Sequence, residues 1–208
     1  MHLIIGDKLY SSWSLRAALA LELTGVDYSE ELIKLNQPDT RERVLKYSPT
    51  GKVPLLKTEH GVIGDSLAIA EYLNEQFPGA QLWPKDIAAR AQARSACAQM
   101  HSGFFAIRGN MSFDLSRNAP LSPVLADVQV EVQRMTALWA ECRAVATETG
   151  PFLFGGACLV DAYFAPIAVR LRTYQVELSA VDAAYVETIY QWPAFKAWHK
   201  AGLEEVVR

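Results

Sequence analysis

The sequence predicts an α/β domain followed by an all-α domain, because strand patterns occur only near the start of the chain. Through the first eighty residues, short aliphatic and β-branched runs alternate with helical spacing. Residues 77–84 (FPGAQLWP) then bring two prolines and a glycine, and only helical patterns follow them. We therefore expect an α/β domain over residues 1–78, a linker over 79–85 and a helical domain over 86–208.

In the first domain the order of the patterns predicts β-α-β-α-β-β-α. The strand-like segments are residues 3–5, 28–35, 55–57 and 62–63, and the helical segments are residues 15–23, 40–46 and 66–76. The last two strands flank a Glu-His-Gly turn, which is typical of a hairpin.

The second domain has apolar residues at helical spacing throughout. The longest such stripe consists of Val124, Val128, Val132, Met135, Trp139, Cys142 and Ala146. Two glycines at 155–156 precede another helix, and Pro193 suits the first turn of the last one. These patterns predict a helical bundle without a sheet.

Composition excludes several classes of function. The chain has 208 residues, of which 50% are hydrophobic, and a net charge of -3 with both signs scattered. Because no basic stripe could neutralise a phosphate backbone, we expect no nucleic-acid partner. Every apolar run falls far short of the roughly 20 residues that span a bilayer, and the start does not resemble a signal peptide. We expect no membrane partner and a cytoplasmic location.

Cysteine and histidine usage points to neither disulfides nor metal. The cysteines Cys97, Cys142 and Cys158 are odd in number, well separated and outside any C-x-x-C pattern. We therefore expect them to be reduced and buried. The four histidines share no metal-ligand spacing, so we predict no metal site.

The first motif with chemical meaning is residues 11–16 (SSWSLR), which opens the first helix. A helix N-terminus offers unpaired N–H groups and partial positive charge, to which Ser11 and Ser12 add hydroxyl donors. A thiolate bound beside these donors would be stabilised. A free thiol has a pKa near 8.5, and lowering that pKa by about two units takes roughly 2.7 kcal/mol. One charge-assisted hydrogen bond and a helix end supply this free energy. The alternative is that these serines only cap the helix.

Two further motifs could hold a small anionic peptide. Pro54 lies between a loop and a strand, where a cis bond could turn the Val53 backbone edge toward an extended ligand; alternatively, it only starts an edge strand. Asp65 could take an ammonium group and Ser66 a carboxylate at the start of the next helix, or both could be cap residues. A second carboxylate could be neutralised by Lys52 and Lys34.

These segments and their order resemble the cytosolic glutathione transferases over the whole chain. The pattern is similar to the serine type, and in particular to the zeta class, which includes maleylacetoacetate isomerases. The resemblance implies a thioredoxin-like first domain, an all-α second domain, glutathione as cosubstrate and a homodimer. It also implies a catalytic role for Ser11, with Ser12 second, a peptide-backbone contact at Val53 before a cis Pro54, and γ-glutamyl contacts at Asp65 and Ser66.

The resemblance extends to the second domain. Residues 155–163 resemble the helix-capping segment of that family, with Asp161 as its acid and Cys158 where Ser or Thr is usual. The electrophile is expected between the domains, against Trp13 and a helix over residues 100–108. We expect an apolar wall there with one cation for an anionic group, formed by Met100, Phe104, Met111 and Arg108.

The predicted function is activation of the glutathione thiol for attack on a small apolar electrophile. One alternative is cis-trans isomerisation of an enediacid, in which thiol addition is reversed after bond rotation. Another is a glutathione-binding or interaction protein without turnover. Residues 64–67 (GDSL) match a serine-esterase signature, but the downstream Asp-x-x-His partner is absent because position 196 is Lys. A thioredoxin-type reductase is excluded because residues 11–14 contain no cysteine.

Overall fold

The computed structural model describes residues 1–205, which form a four-stranded sheet and a series of helices. The strands are β1 (His2–Ile5), β2 (Ser29–Leu32), β3 (Leu55–Thr58) and β4 (Gly61–Gly64). The helices are α1 (Ser12–Thr24), α2 (Thr40–Leu45), α3 (Ser66–Gln76), α4 (Ile87–Ser102), α5 (Phe105–Asn110), α6 (Ala126–Ala144), α7 (Leu159–Thr173), α8 (Ala180–Gln191) and α9 (Pro193–Glu204). The strand order is β2-β1-β3-β4, with β1 and β2 parallel and the other pairs antiparallel. This is the predicted thioredoxin-like architecture followed by helices.

The alternation of side chains along β1 divides the first domain into layers. Leu3 and Ile5 belong to the large core shared with α1, α3 and the helical region, whereas Ile4 packs with Ile33 and Val44 in a separate small core. Because successive side chains of a strand point to opposite faces, β1 is buried on both. Helix α2 therefore covers one face of the sheet, and α1 and α3 cover the other.

Helix α1 occupies the centre of the molecule. Ser11 caps its start, and Gly25 ends it with a left-handed φ of 68° that the residue adopts without steric cost. Its residues from Ser14 to Leu21 are all buried. The helix packs against α3 within the first domain and against α7 of the helical region. The predicted domain boundaries stay a prediction, and the two regions share one core.

The helix expected over residues 100–108 is broken, so that expectation is wrong. Helix α4 ends at Ser102 and α5 begins at Phe105, with Phe104 between them in a left-handed conformation at φ 56°. The Arg108 guanidinium donates to the carbonyl oxygens of His101 at 3.3 Å and Gly103 at 3.2 Å. Arg108 thereby satisfies carbonyl groups near the break, where the helical ladder ends.

The long stripe of the second domain is confirmed in its central part. Val128, Met135, Trp139 and Cys142 are buried on one side of α6. Val124 precedes the helix and is 57% exposed, so the stripe begins one turn later than the spacing predicts. All three cysteines are free and buried, as predicted. No helix among the described residues is long and apolar enough to cross a membrane.

A buried carboxylate organises the start of α7. Asp161 is fully buried and accepts hydrogen bonds from Cys158 N at 2.9 Å, Leu153 N at 3.4 Å and the Tyr185 hydroxyl at 2.9 Å. Burial raises the pKa of Asp161 to about 6, and these donors oppose that rise because they favour the carboxylate. The Asp161 side chain thus connects the loop before α7, the N-terminal cap of α7 and helix α8.

We expect Asp161→Asn to lower the free energy of unfolding by about 2–3 kcal/mol, because the amide NH₂ would face one of the N–H donors. Tyr185→Phe removes only one donor and leaves the backbone cap intact, so it should cost about 1–2 kcal/mol. Urea unfolding of both variants measures the order. Equal losses would show that the two backbone bonds of Asp161 contribute nothing beyond the Tyr185 contact.

Candidate functional site

Strand register brings the three sequence motifs to one edge of the sheet. Leu55, the first residue of β3, pairs with Ile4 near the end of β1 and with Gly64 at the end of β4. The turn that leads from β1 into α1, the residues just before β3 and the residues just after β4 therefore meet at this edge. These are the positions of Ser11, Pro54 and Asp65.

Ser11 lies at the start of α1 and is part of a chain of hydroxyl groups. Its Oγ accepts from Ser14 N at 3.3 Å and donates to Ser14 Oγ at 2.7 Å. Ser14 Oγ also accepts from Gly6 N at 3.0 Å and is completely buried. The Ser12 Oγ, one position further along, has no hydrogen-bond partner among the described residues. The Ser11 hydroxyl is thus held in place by the fold, whereas the Ser12 hydroxyl is not.

The segment before β3 offers backbone to a ligand and carries cations at its margin. The Val53–Pro54 peptide is cis, with Val53 half-buried and Pro54 buried. Among the described residues, the Val53 N–H and C=O have no backbone partner. Lys52 and Lys34 are exposed and form no ion pair with another described residue.

Asp65 and Ser66 form the start of α3 and contact the helical region. Asp65 has a left-handed φ of 76° and accepts from Leu67 N at 2.7 Å, while its other oxygen lies 3.3 Å from His101 Nε2. The Ser66 hydroxyl is buried and accepts from the Tyr163 hydroxyl at 3.3 Å. Burial raises the pKa of Tyr163, so it stays a neutral donor. Both residues of this pair are therefore oriented by side chains of α4 and α7.

Two arginines and a histidine lie around Trp13, and we call Trp13, Arg16, His101 and Arg108 the Trp13 cluster. The guanidinium carbons of Arg16 and Arg108 lie 4.3 Å and 4.9 Å from the indole centroid, and the His101 ring meets it edge-on at 5.2 Å. Cations near an indole face are attracted by its quadrupole. The cluster combines a half-buried indole with two permanent positive charges.

Arg16 is the unusual member of this cluster. It is fully buried, and its Nε and Nη1 have no hydrogen-bond partner among the described residues. Its guanidinium lies 5.1 Å from the Tyr163 ring. Burial lowers the pKa of Arg16 to about 10, which still leaves it charged at neutral pH. A buried cation without a hydrogen-bond partner is costly, and its contacts with the Trp13 and Tyr163 rings offset part of that cost.

The apolar wall expected for the electrophile is a wrong prediction. Met100, Phe104 and Met111 are buried in the core and present no accessible surface beside Trp13. The left-handed Phe104 turns inward, while the next residue, Phe105, is 70% exposed and lies 5.6 Å from the Arg108 guanidinium. Met111 borders a separate cavity of about 530 Å³ between α6 and the end of α7. Of the predicted electrophile residues, only Trp13 and Arg108 come together.

Sequence reasoning missed three residues of the site. Arg16 follows Trp13 by three positions on α1, a spacing that places two side chains on one helix face and could have indicated the contact. His101 and Tyr163 reach the site only through the packing of α4 and α7, which no local pattern specifies. Among residues 1–205, no three His, Cys, Asp or Glu side chains are arranged to hold a metal ion.

Comparison with known proteins agrees with this geometry. A family model described as the N-terminal domain of glutathione S-transferase matches residues 10–76. A probable maleylacetoacetate isomerase of Caenorhabditis elegans is 30% identical over 200 residues, covering 92% of each chain. A maleylpyruvate isomerase of a Ralstonia species is 29% identical over 192 residues, covering 85% of this chain and 91% of the relative.

The fold is similar as well. A glutathione transferase homologue of Burkholderia, solved with bound glutathione, superposes with a TM-score of 0.72 over 98% of this chain and 97% of its own, at 23% identity. The chain therefore belongs to the glutathione S-transferase family. Its relatives place it near the zeta-class isomerases, and glutathione is the cosubstrate of this family.

Two buried arginines permit a matched test of the Trp13 cluster. Arg170 donates to the carbonyl oxygens of Met111 and Pro166, so Arg170→Met should lower the free energy of unfolding by about 2–3 kcal/mol. Arg16→Met removes an unpartnered charge and should leave stability unchanged or raise it by about 1 kcal/mol. Urea unfolding of both variants measures the difference, and a large loss of stability in Arg16→Met would assign that side chain a structural role.

Proposed function

We propose that glutathione lies extended along Val53, with its γ-glutamyl end at Asp65 and Ser66 and its thiol at Ser11, and that the thiolate attacks an anionic electrophile held at Trp13. The observation that carries this proposal is the meeting of the three motifs at one sheet edge, beside a buried cation without a partner. Asp65 and the N-terminus of α3 supply a carboxylate and N–H donors, which suit an amino-acid end.

Ser11 acts as a hydrogen-bond donor to the thiolate, not as a nucleophile. Hydroxyl groups rotate, so the bond between Ser11 and Ser14 can reverse when a thiolate arrives. Gly6 N then donates to Ser14, Ser14 donates to Ser11, and Ser11 donates to the sulfur. Each donor in such a chain polarises the next. Two side chains and one backbone group thereby support a single short contact to the thiolate.

The electrophile is held by the exposed part of the Trp13 cluster. The Trp13 indole and the exposed Phe105 ring provide an apolar surface, and Arg108 provides a cation beside both. Holding both reactants in one geometry supplies part of the rate. Lys52 and Lys34 remain part of the proposal as cations for the glycine carboxylate of glutathione.

A second candidate is glutathione-dependent cis-trans isomerisation of an enediacid. It is favoured by the positive charge of Arg108 and of the buried Arg16, since two guanidinium groups within 5 Å of one indole create a positive potential that suits a substrate with two carboxylates. The isomerases among the relatives support it too. We also propose a homodimer and a cytoplasmic location, which follow the family resemblance; light scattering of the purified protein tests the dimer.

Three serine substitutions separate the possible thiol donors. Ser11→Ala should raise the pKa of bound glutathione toward the free value and lower kcat/KM by about two orders of magnitude. Ser14→Ala, which cannot touch the ligand because Ser14 is buried, should shift both in the same direction, but less. Ser12→Ala should leave the thiol pKa unchanged. The ultraviolet absorbance of the bound thiolate, titrated against pH, provides the measurement.

A capping serine elsewhere controls for lost helix stability. Ser179 caps α8 and accepts from Asp182 N, so Ser179→Ala removes a similar cap far from the ligand. It should leave catalysis unchanged. If Ser12→Ala alone raised the thiol pKa, the donor role would move to Ser12. Binding of glutathione with an unshifted thiol pKa in the wild-type protein would favour a binding protein without turnover.

Arg108 should determine the preference for anionic electrophiles. Arg108→Met should lower kcat/KM about tenfold for a carboxylate-bearing electrophile, the effect of one charge-assisted contact, and change it little for a neutral one. Arg134 provides the control, because its guanidinium lies 4.8 Å from the Phe104 ring but outside the Trp13 cluster. Equal losses for both electrophiles would assign Arg108 to fold stability at the helix break instead.

A further inference from the structure

The turn that leads from β1 into α1 depends on the end of α9, almost two hundred residues away. The Glu205 carboxylate, which immediately follows α9, accepts from Lys8 N at 3.2 Å and from Leu9 N at 3.3 Å, one bond to each oxygen. On the other side of the same two residues, Trp198 Nε1 donates to Lys8 O at 3.1 Å, and Leu115 N donates to Leu9 O at 3.2 Å.

All four backbone polar groups of Lys8 and Leu9 are therefore paired with the helical region of the chain. Within their own turn, the bonds run only from Tyr10 N and Ser11 N to Asp7 O, at 3.2 Å and 2.8 Å. These bonds close the turn but do not use the N–H groups of its two central residues. Glu205 supplies the acceptors that the turn itself lacks, and buried backbone donors require such acceptors.

The contact is close as well as polar. Gly202 of α9 lies against this turn, and a Cβ at its position would be 3.2 Å from Lys8 C, 3.3 Å from Leu9 N and 2.7 Å from Leu115 Cδ1. The Lys8 ammonium lies 5.0 Å from the Trp198 ring centroid. At Gly202, helix α9 therefore fits closely against the turn backbone and the Leu115 side chain.

We propose that Glu205 is a positioning residue for the thiol donor, acting through the turn at Lys8 and Leu9 that places Ser11. This inference rests on the proposed function, in which Ser11 donates to the thiolate. Glutathione itself is held by Val53, Asp65 and Ser66, which belong to other segments. Loss of the Glu205 bonds should therefore disturb thiol activation while leaving glutathione affinity nearly unchanged.

The test compares Glu205→Ala with its neighbour Glu204→Ala. Glu204 is exposed and carries the same charge, and its side chain makes no hydrogen bond to another described residue. Its variant therefore controls for the loss of a negative charge at the end of α9. Relative to that control, Glu205→Ala should raise the pKa of bound glutathione by about half a unit to one unit and lower kcat about threefold to tenfold, since small misplacements cost rate. Its dissociation constant for glutathione should stay within about twofold.

Two further measurements separate positioning from a general loss of stability. Amide hydrogen exchange at Lys8 and Leu9 should become faster in Glu205→Ala and stay unchanged in Glu204→Ala. Glu205→Gln keeps one acceptor oxygen in place of two, so its thiol pKa should lie between those of the wild type and Glu205→Ala. A rise in thiol pKa that follows the number of acceptors is not expected from destabilisation alone.

The possible results discriminate between this inference and the proposed function. If the wild-type protein lowers the thiol pKa and Glu205→Ala lowers it equally, the positioning role of Glu205 is overturned and the proposed function stands. Loss of glutathione affinity in parallel with thiol activation would also overturn it, since that result indicates a collapsed site. An unshifted thiol pKa in the wild-type protein would overturn the proposed function, and this inference with it.

Discussion

The packing of α1 against α7 is the constraint on which the rest of the structure depends. Small residues make the approach possible: Ala17, Ala18 and Ala20 are buried on α1, and α7 carries buried alanines at 162, 165 and 168. Ser11 caps the start of α1, so the position of its hydroxyl depends on both regions of the molecule. The contact between the Tyr163 and Ser66 hydroxyls repeats the arrangement at α3. The proposed ligand groups Ser11 and Ser66 belong to the first region, and α7 of the second region packs against the helices that carry them.

Much of the fold was predictable because it follows from local patterns. The order of strands and helices came from periodicity, and the three ligand motifs came from residue types at helix and strand starts. Their convergence is a matter of register, which pairs Leu55 with both Ile4 and Gly64. The inward position of Phe104 and the exposure of Phe105 could not be predicted, because they follow from the left-handed backbone at Phe104, which interrupts the helical spacing. The contact of Glu205 with Lys8 depends on how α9 packs against the turn after β1, and sequence spacing does not encode this packing.

The two buried arginines show how the molecule treats structural and functional charge differently. Arg170 is bonded to two carbonyl oxygens and fixes the end of α5 to α7. Arg16 is equally buried, yet it lies among aromatic rings with two nitrogens unpaired. A buried cation without hydrogen-bond partners lowers stability, and local violations of this kind are characteristic of functional sites.

The burial of the cysteines has a consequence for the durability of the protein. Cys97, Cys142 and Cys158 lie in the core, and burial raises the pKa of each thiol above its ordinary value. Thiols that are neither ionised nor reachable react poorly with electrophiles. Trp13 lies between Ser12 and Ser14, so the proposed thiol site contains no cysteine of the protein. In the proposed reaction the nucleophilic sulfur belongs to glutathione and leaves with the product, so turnover does not consume the catalyst by self-alkylation.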